Sequence, residues 1–198
     1  MPTGVSLRDA REQLLAAAER VLRSGGPAAL TSRAITTEAG CAKGVLHKHF
    51  ADLDELLVAL VQDRIGRLDG QAAALRAAAG HGSLTATVAD ALTGIFGSVA
   101  LHVVGLIIAR DGLRARLRAG SPQGMPLLTE ATAMLAGYLA TERELGRLTP
   151  DADVETLAMT LIGTGHLAFA GRDGDPPPAA EVERLVTGAL AGSRTVDP

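Results

Sequence analysis

Lys43 and Lys48 are the only lysines in 198 residues; every other basic chain is one of 17 arginines. His47 and His49 accompany them, and so does Cys41, the sole cysteine. Ammonium and imidazole groups this close together can bind a metal, move protons, or contact phosphates and base edges. The five histidines, at 47, 49, 81, 102 and 166, form no metal-ligand spacing with Cys41 or with carboxylates. No Ser–His–Asp or Cys–His arrangement can be argued, so no catalytic residue, metal or cofactor is expected, and an enzyme is not. Contact with a polyanion is left for the two lysines, weighed against a simple solvated surface.

The elements around them favour polyanion contact. Helical spacing prevails along the chain, and no stretch keeps the period-2 alternation of strands. Ser6 and Asp9 read as a capping pair for a first helix that Gly25, Gly26 and Pro27 stop. Thr31 can cap a second helix, with Ile35 and Ala39 inward, that breaks at Gly40. A short third helix spans about Ala42 to Phe50. Leu46 and Phe50, four apart, face inward and leave Lys43, Gly44, His47 and Lys48 outward. Two short helices joined by a tight turn are a helix-turn-helix pattern, whose second helix can enter a major groove. Asp52, with Glu55 three residues on, can cap a fourth helix reaching about Ala79, weakened at Gly66 and Gly70 by about 1 kcal/mol each. Further helices are expected at about 83–97, 99–118, 124–146, 152–171 and 179–192, about nine in all.

Residues 31–60, "TSRAITTEAGCAKGVLHKHFADLDELLVAL", resemble the DNA-binding signature of the tetracycline-repressor (TetR) family of bacterial transcription regulators. Thr31, Arg33, Ile35, Glu38–Ala39–Gly40, Lys43–Gly44, Leu46, His49–Phe50 and Leu56–Leu57 carry the likeness, which covers about residues 7–60. It implies an all-α fold: a three-helix DNA-binding domain at 1–52, then a helical bundle for ligand binding and dimerisation at 53–198. It also implies a homodimer on a palindromic operator, joined through the eighth and ninth helices. A small-molecule effector would sit among the fourth to seventh helices and release the DNA. The DNA-contacting set is then Thr31, Arg33, Thr37, Lys43, Gly44, Val45, His47 and Lys48. His47 is assigned to phosphate and His49 to packing on the first helix, while Thr31 can be a cap instead.

Three positions depart from the family pattern: His47 replaces a tyrosine, Ala42 an N-capping serine, and Leu53 a lysine that contacts a phosphate. The lost cap costs about 1 kcal/mol, and the lost phosphate contact lowers the salt slope by roughly one. Operator binding is expected to be weaker, and so lost at lower salt, and Lys43 and Lys48 carry more of it. Cys41 occupies the turn as a small hydrophobe, with a redox role as the alternative.

For the bundle, the resemblance makes Phe96, His102, Leu106, Met125, Met134 and Tyr138 candidate linings of an apolar cavity. His102 on an apolar face also fits plain core packing. "IGTGHLAFAG" (162–171) contains Gly-x-Gly, but it follows a helical pattern and its third glycine is misplaced for a dinucleotide loop. Small residues there suit close helix packing, which makes Gly165 and Phe169, with Leu185 and Ala189 of the last helix, a candidate dimer face.

Bulk properties agree. Net charge is −3, yet residues 1–52 carry +2 and residues 53–198 carry −5, so the basic part is the N-terminal quarter. The longest apolar run, Val99–Ala109, is about half the length of a membrane span. With one cysteine and no signal-peptide pattern, the expected setting is cytoplasmic. The sequence thus predicts a ligand-responsive DNA-binding repressor. The alternative is a helical small-molecule-binding protein with weakened or lost operator recognition.

Overall fold

The computed structural model describes residues 7–97, 99–120, 124–170, 172 and 175–195. Ser6, the expected first cap, lies outside them. Among the described residues there are ten helices, and extended pairing is limited to an isolated bridge between Leu148 and Arg194. None of these helices is long and apolar enough by itself to cross a membrane. Two compact units divide the chain: residues 1–64 with 102–126, and residues 65–101 with 127–198.

The first unit begins with α1 (Leu7–Ala29), which kinks at Gly26, where φ is +69°. A side chain is strained in that region, so the expected stop appears as a kink, with one further turn through Pro27. The helix-turn-helix is α2 (Ser32–Glu38) followed by α3 (Lys43–His49). Leu14, Ala18 and Leu22 of α1 bury against this pair together with Ile35, Leu46 and Phe50. The N-terminal half of α4 (Leu53–Ala77) adds Leu56, Leu57, Leu60 and Val61 to the unit's core.

α6 (Ala100–Ala109) and α7 (Asp111–Gly120) complete this unit. One helix was expected across 99–118, and the structure breaks it at Arg110. The Arg110 guanidinium donates to the Leu30 carbonyl at 2.9 Å and lies 3.5 Å from the Asp54 carboxylate. Its own carbonyl accepts the Arg114 N–H at 3.0 Å, opening α7, and Asp111 stands favourably in the first turn. The extra break makes ten helices where about nine were expected.

The second unit packs α5 (Leu84–Phe96), α8 (Leu128–Glu144), α9 (Val154–Ala170) and α10 (Ala179–Leu190), with the C-terminal half of α4. Its core is aliphatic around Leu92, Leu135, Leu139, Leu161 and Val186, with Phe96 and Tyr138 as the large rings. Gly165 lets α9 approach α5 closely: a Cβ there would meet Phe96 Cε2 at 3.0 Å and Leu92 Cδ2 at 3.2 Å.

Candidate functional site

The turn between α2 and α3 is built by backbone geometry. Gly40 adopts φ +64°. Its N–H donates to Thr37 O at 3.1 Å, and the Cys41 N–H donates to Thr36 O at 3.0 Å. This pair of bonds is a Schellman motif, which ends a helix and redirects the chain. Thr36, which sequence reasoning passed over, is buried and anchors its hydroxyl on Ser32 O at 2.8 Å. Cys41 is half-buried, and desolvation pushes its thiol pKa up.

Thr31 caps α2, its Oγ1 accepting the Ala34 N–H at 3.1 Å. Ala42 occupies the same position on α3 and supplies no side-chain cap. Leu46 and Phe50 turn inward, and the Arg11 guanidinium lies over the Phe50 ring at 5.2 Å from its centroid. Arg20 of α1 pairs with Glu38 at the end of α2 at 2.6 Å. Helix α3 is therefore held from behind and from its preceding turn. Thr31, Arg33, Thr37, Lys43, Gly44, His47 and Lys48 are exposed, Val45 is half-buried, and His49 is half-buried. The structure gathers the eight candidate residues onto α2, α3 and the α2 cap. Exposed donors on a short, braced helix can bond phosphate oxygens and base edges.

The start of α4 is fastened beside this pair. Asp52 Oδ1 accepts the Glu55 N–H at 2.7 Å, and Glu55 Oε2 accepts the Ala51 N–H at 2.5 Å. Arg116 of α7 donates to both Asp52 oxygens, at 2.9 and 2.6 Å. Those hydrogen bonds from Arg116, then the Glu55 N–H, lower the Asp52 pKa.

Within the second unit a cavity of about 440 Å³ opens between α4, α5 and α8. Leu75 and Met134 are its large apolar walls, and Gln71, Thr87 and Asp90 are its polar groups. Of the six cavity candidates, Met134 lines it. Phe96, 1% exposed, packs instead against Phe169 and His166, at centroid separations of 5.8 and 6.0 Å. Tyr138 is fully buried, and no described group stands in hydrogen-bonding geometry to its hydroxyl. Burial, then the neighbouring Glu142 carboxylate, raises its pKa. Glu142 is itself 0% exposed, held by the Gly80 N–H at 3.3 Å and by Arg147 at 3.2 Å. His102, Leu106 and Met125 belong to the first unit, where Leu106 is core and the buried Nδ1 of His102 has no described partner. Gln71, Leu75, Thr87 and Asp90 were missed. Their signal was weak, because one polar group per turn on a helix reads as ordinary surface.

Two residues of the expected dimer face need correction. Gly165 and Phe169 are buried inside the protomer against Phe96, so they present no surface to another chain. The outward side of α9 carries Met159, 67% exposed, and Leu167, 73% exposed, with Gly163 between them. On α10, Leu185 and Ala189 are half-buried. Among the described residues no group of three His, Cys, Asp or Glu could hold a metal ion.

Residues 14–60 match the family model for bacterial regulatory proteins, tetR family. No curated protein sequence matches the chain. Its fold is similar to that of a TetR-family transcriptional regulator from Mesorhizobium loti, at 18% identity and TM-score 0.72, covering 97% of this chain and 100% of that one. A fatty acid degradation regulator, FadR, from Bacillus halodurans aligns at 17% identity and TM-score 0.71, over 97% and 98%. The FadR regulator of Bacillus subtilis in complex with stearoyl-CoA aligns at 17% identity and TM-score 0.68, over 91% and 98%.

Proposed function

We propose, for a chain whose residues 14–60 match the tetR family of bacterial regulatory proteins, that it is a ligand-responsive repressor of transcription. The family is one of regulators and not of enzymes. In this reading residues 1–52 read DNA and residues 53–198 bind ligand and dimerise. A cytoplasmic homodimer sets one α3 per subunit into successive major grooves of a palindromic operator. A small apolar effector in the α4–α5–α8 cavity lowers operator affinity. The dimer joins through α9 and α10, with Met159, Gly163 and Leu167 on the outer side of α9, and Leu185 and Ala189 on α10.

The observation that carries this reading is α3 itself. Lys43, Gly44, His47 and Lys48 face outward from a helix held by Leu46, Phe50 and the Gly40 turn. The outer face of α9, which carries two large exposed apolar side chains beyond Glu155 in its first turn, supports pairing, because such patches mark interaction surfaces. The structure of Bacillus subtilis FadR with stearoyl-CoA supports an effector with an apolar portion at the level of the fold alone.

A gel shift of the full chain against DNA flanking its own gene tests the proposal. Retardation of a palindromic fragment at low salt, which scrambled competitor of equal length does not abolish, is expected. Equal affinity for palindromic and scrambled DNA would instead favour the second reading, a helical ligand-binding protein with weakened operator recognition. The uncapped Ala42 at the start of α3 is the observation behind that alternative.

A further inference from the structure

The cavity of the second unit is selective in its charge. Asp90 is the one ionisable side chain on its wall, and Gln71 and Thr87 are the other polar ones. The remaining lining is alanine, glycine, Leu75 and Met134. No arginine, lysine or histidine reaches it among the described residues. Asp90 is exposed at the rim and has no ion-pair partner there among the described residues. Two arginines of this unit are engaged elsewhere: Arg147 holds Glu142 and the Gly82 carbonyl, and Arg143 donates to the Ala152 carbonyl.

From this lining we propose that the effector is an amphiphile bearing a protonated amine, and that carboxylates and phosphate esters are rejected. The proposal rests on the reading of this cavity as the effector site and replaces the wholly apolar effector of that reading with an apolar portion that carries one ammonium group. An aliphatic portion covers Leu75, Met134 and the alanines, removing apolar surface from water. The ammonium stands at Asp90, with the Gln71 amide oxygen as a further acceptor. Met134 adapts to varied tail shapes, since an unbranched thioether repacks easily. An anion placed in the same cavity meets the Asp90 charge with no cation to balance it, and like charge at short range opposes binding. A volume of about 440 Å³ suits a molecule of small-drug size.

The test uses the full chain with decylamine, decanol and decanoate below their micelle concentrations at neutral pH, read by calorimetric titration. Wild type is compared with Asp90→Asn and with Ala74→Phe, which fills the cavity from an exposed position on α4. Decylamine is expected to bind at least about fivefold tighter than decanol, the scale of an exposed ion pair. Decanoate is expected to bind weakest. Asp90→Asn levels the three, and Ala74→Phe weakens all of them. Decanoate binding as tightly as decylamine, with Ala74→Phe still blocking both, overturns the charge assignment and leaves the effector cavity standing. An amine preference that survives Asp90→Asn overturns the role of Asp90. Failure of all three probes to bind, or binding indifferent to Ala74→Phe, overturns the cavity reading itself.

Discussion

Arg116 grips both carboxylate oxygens of Asp52 across 64 residues of sequence, at 2.9 and 2.6 Å, while Asp52 also caps α4 through the Glu55 N–H. One side chain thus fixes the residue at which the helix-turn-helix ends and α4 begins. Arg110, the residue at which α6 gives way to α7, acts nearby on the Leu30 carbonyl and on Asp54. Both arginines fasten local turns that short-range sequence alone would leave loose.

This pair has a pH signature. The folded Asp52 pKa lies below its ordinary value, chiefly through the Arg116 hydrogen bonds. A depressed carboxylate pKa adds stability above the unfolded pKa, about 3.9, and loses it as pH falls through the folded value. Acidification below about pH 4 is therefore expected to lower the wild-type Tm more steeply than that of Arg116→Ala. Thermal melts from pH 6 to 2 check this, and parallel curves for the two proteins would contradict it.

Lys43 and Lys48 are expected to dominate the salt dependence of DNA binding. Each phosphate contact removed reduces the slope of log affinity against log salt by about one. Lys48→Ala should do so with little change in sequence preference. Lys43→Ala should also relax discrimination between operator and scrambled DNA. Fluorescence anisotropy over a salt series measures both, and unchanged slopes in both variants would remove α3 from the DNA contact.

Restoring a cap at position 42 should repair α3. Ala42 has extended backbone and no side-chain cap, whereas Thr31 makes that bond for α2. Ala42→Ser is expected to stabilise the protein by about 1 kcal/mol and to tighten DNA binding. Urea unfolding and anisotropy together test it. Thr31→Ala is the matched control and should lose about the same stability.

Gly165 is fixed by Phe96. A methyl at 165 would stand 3.0 and 3.3 Å from two atoms of a ring that is 1% exposed and bounded by Phe169 and His166. That ring has little room to yield, so Gly165→Ala is expected to destabilise by about 1–3 kcal/mol, the usual cost of overpacking. Phe96→Leu should make the two changes less than additive in chemical denaturation. Full additivity would show that the ring is not the obstacle.

Burial raises the Cys41 thiol pKa, so its reactive thiolate is scarcer at neutral pH than in a free cysteine. Alkylation by iodoacetamide at pH 7.5 is expected to be slower than for glutathione. Cys41→Val should bind DNA like the wild type, with or without mild oxidant. Oxidant-dependent binding that disappears in Cys41→Val would give the turn a redox role.

Much of this was legible locally. Thr31, Gly40, Leu46 and Phe50 announce two short helices and their turn, because caps, left-handed glycines and i,i+4 apolar pairs act over a few residues. Asp52 and Glu55 likewise mark where α4 begins. The basic N-terminal quarter and the outward lysines followed from counting and helical period alone.

Other features belong to partners far along the chain. The run from Val99 to Arg118 has an unbroken helical pattern, and its break at Arg110 comes with a bond to a carbonyl 80 residues away. Helix α9 is apolar on both sides, so its period cannot say whether Gly165 and Phe169 or Met159 and Leu167 face the core. The ring of Phe96 settles that in the folded protein. The cavity wall has the same origin, since Gln71, Thr87 and Asp90 acquire a shared purpose only when α4, α5 and α8 meet. By itself the sequence determined the elements whose causes lie within one or two helical turns. Tertiary packing alone decided which face of an all-apolar helix is buried and which distant side chains share a wall, because both depend on the volume and hydrogen bonds of residues far away in sequence.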